Sequence, residues 1–468
     1  MARSCIRTER PRARTWIALL AVIGALLLAP AMARSAENVK LTPPELMRKF
    51  AQAPAVEQME LLPRIFQPDS KDDIAHYKIP EFLIKVLKDD NADPRVRHIA
   101  LDGMVHLIEA VDISYQTQFV PALSDVLSSE ATSSLVQEYV LLAAPTVVDP
   151  TSPGPSKVLL ERIRDIAKDE KRVSDTQLRL REQAVIALGK IASSDDLSLF
   201  FKLLTDRSKP IIASAVEAMY EYLKSPAGQT IELTGQQVGD LVNLLKNPAT
   251  SYDEIAAILR VLGVNARNFR LNNKTNTPRG SIDCMEKIRD LLLKPQPTPV
   301  PYFVVGACIE TLGDLAQKEA VPLIRLILQQ KFMFTADALQ YRKQSVDVLN
   351  DVIAVNIGDG KSANQVVVET IKLLEELLND PKEDGQVRVA AAFDLADVRY
   401  PCYNRGDILA TLSAYAFKQD GITVDPALMG TAFQSIEVIA GRTFPKDWTG
   451  ADFADWFNKV GKTEMAPH

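Results

Sequence analysis

The segment LREQAVIALGKIA, residues 180–192, most constrains what this chain can fold into. It places Ala184, Ala187, Leu188 and Ile191, small and branched apolar residues, on one narrow face of a helix. Its outline returns as VRHIALDGMVHLI from Val96 and VRVAAAFDLADV from Val387. Aligned on the Leu188-Gly189 step, comparable helices fall at Met104, Ala143, Leu188, Met219, Leu262, Leu312, Leu349, Leu395 and Ile436. The intervals are 39, 45, 31, 43, 50, 37, 46 and 41 residues. One amphipathic unit of that size cannot bury its own stripe, so its neighbours must stack on it and share a continuous core.

A second apolar segment and a turn bearing Asp or Pro precede several of these helices. FLIKVLKDDNADP runs up to Arg95, LSLFFKLLTDRSKP to Ile211 and IKLLEELLNDPKEDG to Gln386. Each unit therefore reads helix, turn, helix. The 28 prolines sit mostly between apolar runs, glycine is scarce at 20, and long alternating β-branched runs are rare, which favours helices over strands. Hydrophobic residues at 47 % and charged residues at 24 % are the composition of a folded protein.

On LREQAVIALGKIA at 180, VRHIA at 96, VRVAA at 387 and CIETLGDLA at 308, the chain resembles the HEAT-type α-solenoid repeats, including the exported bacterial HEAT-like variety. The resemblance covers roughly residues 79–440. It implies an all-α, right-handed α-solenoid of about nine HEAT-like helix pairs, with capping helices at both ends. It also implies a ladder in which an Asp in the turn meets an Arg opening the second helix. Arg97, Arg181, Arg342 and Arg388 match the Arg position, and Asp90, Asp206 and Asp380 are turn aspartates. Val136, Ile212, Ile255, Val305 and Met429 lack the Arg, so apolar packing must hold the stack there. Residues 34–78, with the helix-start signal Thr42-Pro43-Pro44-Glu45, form an N-terminal helical cap. Residues 441–468, where Phe444, Trp448, Phe453, Trp456 and Phe457 gather, form a C-terminal cap packed over the last repeat, the alternative being an aromatic ligand cage.

Residues 1–33 stand apart from the repeats. Five arginines lead into the apolar run from Trp16 to Ala33, which ends in the small-x-small site Ala31-Met32-Ala33. This is the pattern of a secretory signal peptide; the other reading is an uncleaved membrane anchor. The expected location is periplasmic or extracellular, with membrane attachment only if the segment stays uncleaved. The leader carries five Arg and one Glu, so the remainder has an excess of ten acidic residues over basic ones. So acidic a chain is a poor nucleic-acid binder. Three cysteines, Cys284, Cys308 and Cys402, follow the leader and make no disulfide framework, although a single Cys284–Cys308 bridge stays open.

No phosphate-binding glycine loop, HExxH, GxSxG or paired CxxC occurs, and no catalytic residue or cofactor is expected. Di-iron hydroxylases of the resembling architecture use His-Glu dipeptides, yet none of His76, His98, His106 or His468 precedes a Glu. Bilin lyases share the repeat but act in the cytosol, against the leader. His98, Asp102 and His106 share one helix face and are the weak metal candidates. The outer two are about 12 Å apart along the axis, too far to share one ion comfortably, so only adjacent pairs could chelate, with a third ligand from another helix.

The face opposite the buried alanines carries Asp102, Glu217, Glu221, Glu310, Asp314, Asp347, Asp351 and Asp397, interrupted by Lys190, Arg260 and Lys343. In solenoids of the resembling kind the second helices line the concave side, and these acids would there present a field to a protein or peptide with a basic surface. The expected function is a non-catalytic extracytoplasmic scaffold. The alternatives are an enzyme or metal-dependent protein with a site between repeats, and a membrane-tethered adaptor. Residues 265–283 read as a long basic connection with Arg267, Arg270, Lys274 and Arg279, and residues 149–157 as a stiff Pro-rich connector.

Overall fold

The computed structural model describes residues 41–67, 71–149, 155–272, 279–294, 300–316, 319–329, 337–356, 365–396, 405–417 and 424–461. The leader, Lys274, Asp397, Cys402 and most of the Pro-rich connector lie outside the described residues. Two compact units divide the chain at residues 82 and 83. The first contains α1 (Pro43–Phe50), α2 (Ala55–Phe66), α3 (Lys71–His76) and the start of α4 (Ile79–Lys88). The Thr42 amide donates to Glu45 Oε2 at 2.8 Å, so the expected start signal does cap a helix. Phe50 meets Phe82 edge-on at 5.2 Å between ring centroids.

In the second unit first and second helices alternate. The first helices, after the end of α4, are α6 (Gln116–Ser128), α8 (Pro155–Lys168), α10 (Leu197–Leu203), α12 (Gly235–Lys246), α14 (Ser281–Leu293), α16 (Ala320–Gln329), α18 (Gln365–Asn379) and α20 (Arg405–Ala416). The second helices are α5 (Pro94–His106), α7 (Ser134–Val147), α9 (Asp175–Ile191), α11 (Lys209–Lys224), α13 (Tyr252–Leu271), α15 (Tyr302–Leu315), α17 (Asp337–Asn356), α19 (Gly385–Ala396) and α21 (Pro426–Ala440). A short α22 (Gly450–Trp456) follows. Nine pairs are thus present among the described residues, and no strand. From α6 onward each first helix packs on its own second helix, and each second helix packs on the next. The substantial packing is all between neighbours, as repetition of a half-buried unit requires.

The sequence stripe is the buried one. Ala184 and Leu188 are fully buried, with Ala187 and Ile191 nearly so. Gly189 sets the closest approach: a Cβ there would lie 2.5 Å from Ala218 Cα and 2.6 Å from its carbonyl oxygen on α11. Arginines at the expected positions lock the pairs. Nε of Arg97, Arg181 and Arg388 donates to the carbonyl of Leu87, Ala167 and Leu378, at 2.7, 2.8 and 3.0 Å. Each acceptor is the penultimate residue of the first helix. Arg181 then reaches Asp206 of the following turn at 2.5 Å, and Arg342 reaches Glu383, three residues beyond Asp380. Arg97 pairs with Asp90 of its own turn at 2.8 Å, and Thr132 of the next turn donates to the same oxygen at 3.0 Å. Where Val136, Ile255 and Val305 replace the arginine, they are buried in the apolar interior.

Residues 265–283 are not one long connection. The Ser251–Glu254 capping box opens α13, which runs to Leu271, and α14 begins at Ser281. Two asparagines of this stretch are buried latches. Asn265 Oδ1 accepts from the Leu233 amide at 2.9 Å. Asn268 Nδ2 donates to the carbonyls of Leu223 at 2.9 Å and Gly228 at 3.2 Å. Those bonds satisfy the backbone in the last turn of α11 and just after it, which is why two polar residues tolerate burial inside a helix.

Candidate functional site

The side chains that face one another across the second helices recur every three, four or seven residues, as one face of a helix demands. α11 contributes Glu217, Tyr220, Glu221 and Lys224; α13 contributes Arg260 and Arg267; α15 contributes Glu310 and Asp314. Arg260 Nε donates to Glu310 Oε2 at 2.8 Å, and Gln344 of α17 donates to the other oxygen at 3.3 Å. The Tyr220 ring lies beneath two cations, Lys224 Nζ at 5.2 Å from its centroid and the Arg260 guanidinium at 6.0 Å. Arg267 Nη1 stands 4.0 Å from Asp314 Oδ1. Arg270 caps the end of α15 through the carbonyls of Leu315, at 2.7 Å, and Asp314.

The charges are unevenly balanced. Burial raises the Glu217 carboxyl above its ordinary value; Arg260 opposes this, and Glu221 and Glu310 add to it. Burial pulls Arg260 down, but Glu310 and Glu217 outweigh that and hold it above its usual range. Tyr220 is raised by burial, then by Glu310 and Asp314. Asp314 is pushed up to about 7, first by burial, with Arg267 and Arg270 opposing and Asp351 and Glu310 reinforcing. A carboxyl raised by folding stabilises the fold below its unfolded value and loses that contribution as pH rises through its folded one. The Asp314→Asn variant is therefore expected to gain on the wild type between about pH 4 and 7, by roughly 2–4 kcal/mol. Melting curves at pH 5 and pH 8 check this; an equal difference at both pH values would refute it.

Beside the cluster lies an open groove of about 240 Å³, lined by four consecutive second helices. Small residues, Ala213, Ser214, Ala256 and Ala257, line it. Ile186 of α9 and Phe303 of α15 line it from either end of this helix series, and Phe303 is 40 % exposed. Glu217, Asp253 and Arg260 supply its charges. Among the described residues no hydrogen bond or ion pair within 4 Å reaches the Glu217 or Asp253 carboxylate.

Paired helices in two layers, stacked neighbour on neighbour and locked by an arginine at the start of the second helix, decide the architecture. The chain is an all-α solenoid of stacked helix pairs. No family model matches it, and no curated protein matches it. Among solved structures it is similar to yeast importin-beta (Kap95p), at 15 % identity over 75 % of this chain and 46 % of that one, with a TM-score of 0.48. It is similar to importin beta in an ammonium sulfate condition, at 12 % identity over 92 % and 54 %, with a TM-score of 0.47. It is also similar to an engineered protein, at 17 % identity over 85 % and 99 %, with a TM-score of 0.38. The solenoid spans about half the length of the two importin-beta chains.

The acids expected on one face of the solenoid are not all brought together. Glu217, Glu221 and Glu310 share a neighbourhood around Arg260, and Asp314 faces Glu310 and Asp351. Asp347 and Asp351 sit exposed on α17, and Asp397 lies outside the described residues. Asp102 belongs to a different place. On α5 its Oδ1 is 3.6 Å from His98 Nε2, and His98 stacks on Tyr139 of α7 at 3.9 Å between centroids. Burial raises the Asp102 carboxyl, with His98 opposing. No group of three potential metal ligands forms among the described residues, so His106 does not complete a site with this pair.

Cys284 and Cys308 are free thiols, both buried, and no bridge joins them. Burial pushes the Cys308 thiol up to about 12. Near the C-terminus Phe453 stacks on Phe417 at 4.9 Å and Phe444 meets Trp456 edge-on at 4.7 Å. Phe444, Phe453 and Trp456 are buried, so the rings fill one another's space. Sequence reasoning missed Asp253 and Phe303, which carry no motif, and Ile186, which lies in the repeat segment but off its buried stripe, and placed Arg267 and Arg270 in a connection.

Proposed function

We propose that this solenoid is a non-catalytic, exported scaffold that binds a protein or peptide with a basic surface along the second-helix face of α11 to α17. The carrying observation is the set of acids on the second helices that flank α13 and on α17 beyond them. Glu217, Glu221, Glu310 and Asp314 lie on α11 and α15, and Asp351 on α17. Arg260 is engaged by Glu310 and Arg267 stands 4.0 Å from Asp314, so together with Lys224 and Arg270 they offset part of this field. The leader supports export, and Asp347 and Asp397 are proposed to extend the same face.

The test uses full-length precursor expressed in cells and recovered from the exported fraction, where an N-terminus near Arg34 is expected. A random peptide library is panned on it and on the variant Glu217→Gln, Glu221→Gln, Asp347→Asn, Asp351→Asn. Lysine- and arginine-rich peptides are expected from the native chain and not from the variant. Recovery of the same peptides from both would remove the acidic face from the function; retention of the protein in the cytosol would remove export.

A further inference from the structure

The groove between α9, α11, α13 and α15 has a shape and a charge that the face as a whole does not explain. At about 240 Å³ it is smaller than the ~300–1,000 Å³ of small-molecule sites, and it suits a single long side chain. Four of its lining residues are small, Ala213, Ser214, Ala256 and Ala257, and larger ones would narrow it. Ile186 and Phe303 add apolar surface to its lining, and Phe303 is 40 % exposed. Apolar surface ending at a carboxylate matches a side chain that lays a methylene stem on carbon and keeps a cation at its tip.

Two carboxylates, Glu217 and Asp253, border this space without a hydrogen bond or ion pair among the described residues. The one cation of the lining, Arg260, donates to Glu310 at 2.8 Å and is shared with Glu217, on which Lys190 also acts from outside the groove. An anionic group entering here would meet Glu217 and Asp253, and a neutral aliphatic one would leave their charge as it is. A cation is the one class that improves the balance.

We infer that this groove is the anchor pocket for one lysine or arginine of an extended peptide, with its stem on Ala213, Ala256 and Ala257 and its charged head at Glu217. The inference rests on the reading that the second-helix face takes a basic partner, and it fixes where on that face a specific side chain is held. Partner side chains beyond the groove are held only by the general field.

The probe is a fluorescein-labelled nonapeptide of alternating lysine and alanine, titrated by anisotropy against the full chain. A second probe replaces each lysine by norleucine, which keeps the stem and loses the charge. Three variants separate the contributions. Glu217→Gln removes the charge and keeps the shape. Ala213→Leu fills the groove and keeps the charge. Asp347→Asn with Asp351→Asn removes face charge outside the groove. Glu217→Gln and Ala213→Leu are each expected to weaken the lysine peptide by about tenfold or more, and the norleucine peptide is expected to bind no variant well. The Asp347/Asp351 variant is expected to lose only a few-fold and to flatten the salt dependence. Phe303→Ala, at an exposed position, serves as a second groove variant should Ala213→Leu lower the melting temperature. If the groove variants bind like wild type while the Asp347/Asp351 variant loses binding, the face binds but the anchor pocket is wrong. If wild type ignores the lysine peptide, the broader reading falls as well.

Discussion

Replacing Arg181 by methionine is expected to remove roughly 3–5 kcal/mol of stability, the largest loss from any single side chain considered. The guanidinium is 3 % exposed, donates to the Ala167 carbonyl at 2.8 Å and holds Asp206, whose side chain is 6 % exposed, at 2.5 Å. Methionine fills similar volume but leaves a buried carboxylate and a buried carbonyl without that donor. The cost comes from the orphaned partners rather than from the intrinsic worth of the pair. The double variant Arg181→Met, Asp206→Leu is accordingly expected to recover much of the loss. Urea unfolding followed by circular dichroism measures both. A stack of pairs need not unfold in one step, so the first transition is the one to compare. A single variant within 1 kcal/mol of wild type, an estimate at the scale of exposed pairs, would contradict this account.

Gly189→Ala should destabilise by about 1–3 kcal/mol although it adds a single methyl to a good helix former. The new Cβ meets the backbone of Ala218 at 2.5–2.6 Å, and backbone cannot rotate out of the way. α9 and α11 must separate, and the buried stripe on both loosens with them. Gly239 on α12 is the internal control, because nothing lies within 4 Å of its added Cβ. Gly239→Ala should stabilise by about 0.5–1 kcal/mol through the ordinary alanine preference of a helix. Opposite signs from one chemical change are the expected result in thermal melts; the same sign at both positions would sink the close-approach explanation.

Gly189 also marks how far the sequence could be read. The Leu188-Gly189 step aligned the repeats because it sits where two second helices come closest, and a period of such steps survives loops of any length. The locking arginines were legible for the same reason, since each stands at a fixed place in its pair. What a period cannot carry was missed. Asn265 and Asn268 are turn formers by composition, and only the position of Leu233 and Gly228 in space makes them latches. Arg164 on α8 binds Asp196 at 2.6 Å across to the next pair, and first-helix polar residues show no repeating mark. The acids of α11 and α15 could be assigned to one face by counting, but their counter-ions could not, because Arg267 and Arg270 sit in a stretch that looks unlike a helix. The groove was invisible because its lining is drawn from residues between 186 and 303 on four helices.

The arginine locks end on main-chain oxygens at Leu87, Ala167 and Leu378. Any amino acid placed there supplies the same acceptor, so the closing turn of a first helix is free to drift while its hairpin stays fastened. Only the donor is exposed to loss by substitution. That asymmetry accounts for openings as alike as VRHIA, LREQA and VRVAA being clasped to first helices as unlike as FLIKVLK, VLLERIRDIAK and IKLLEELLN.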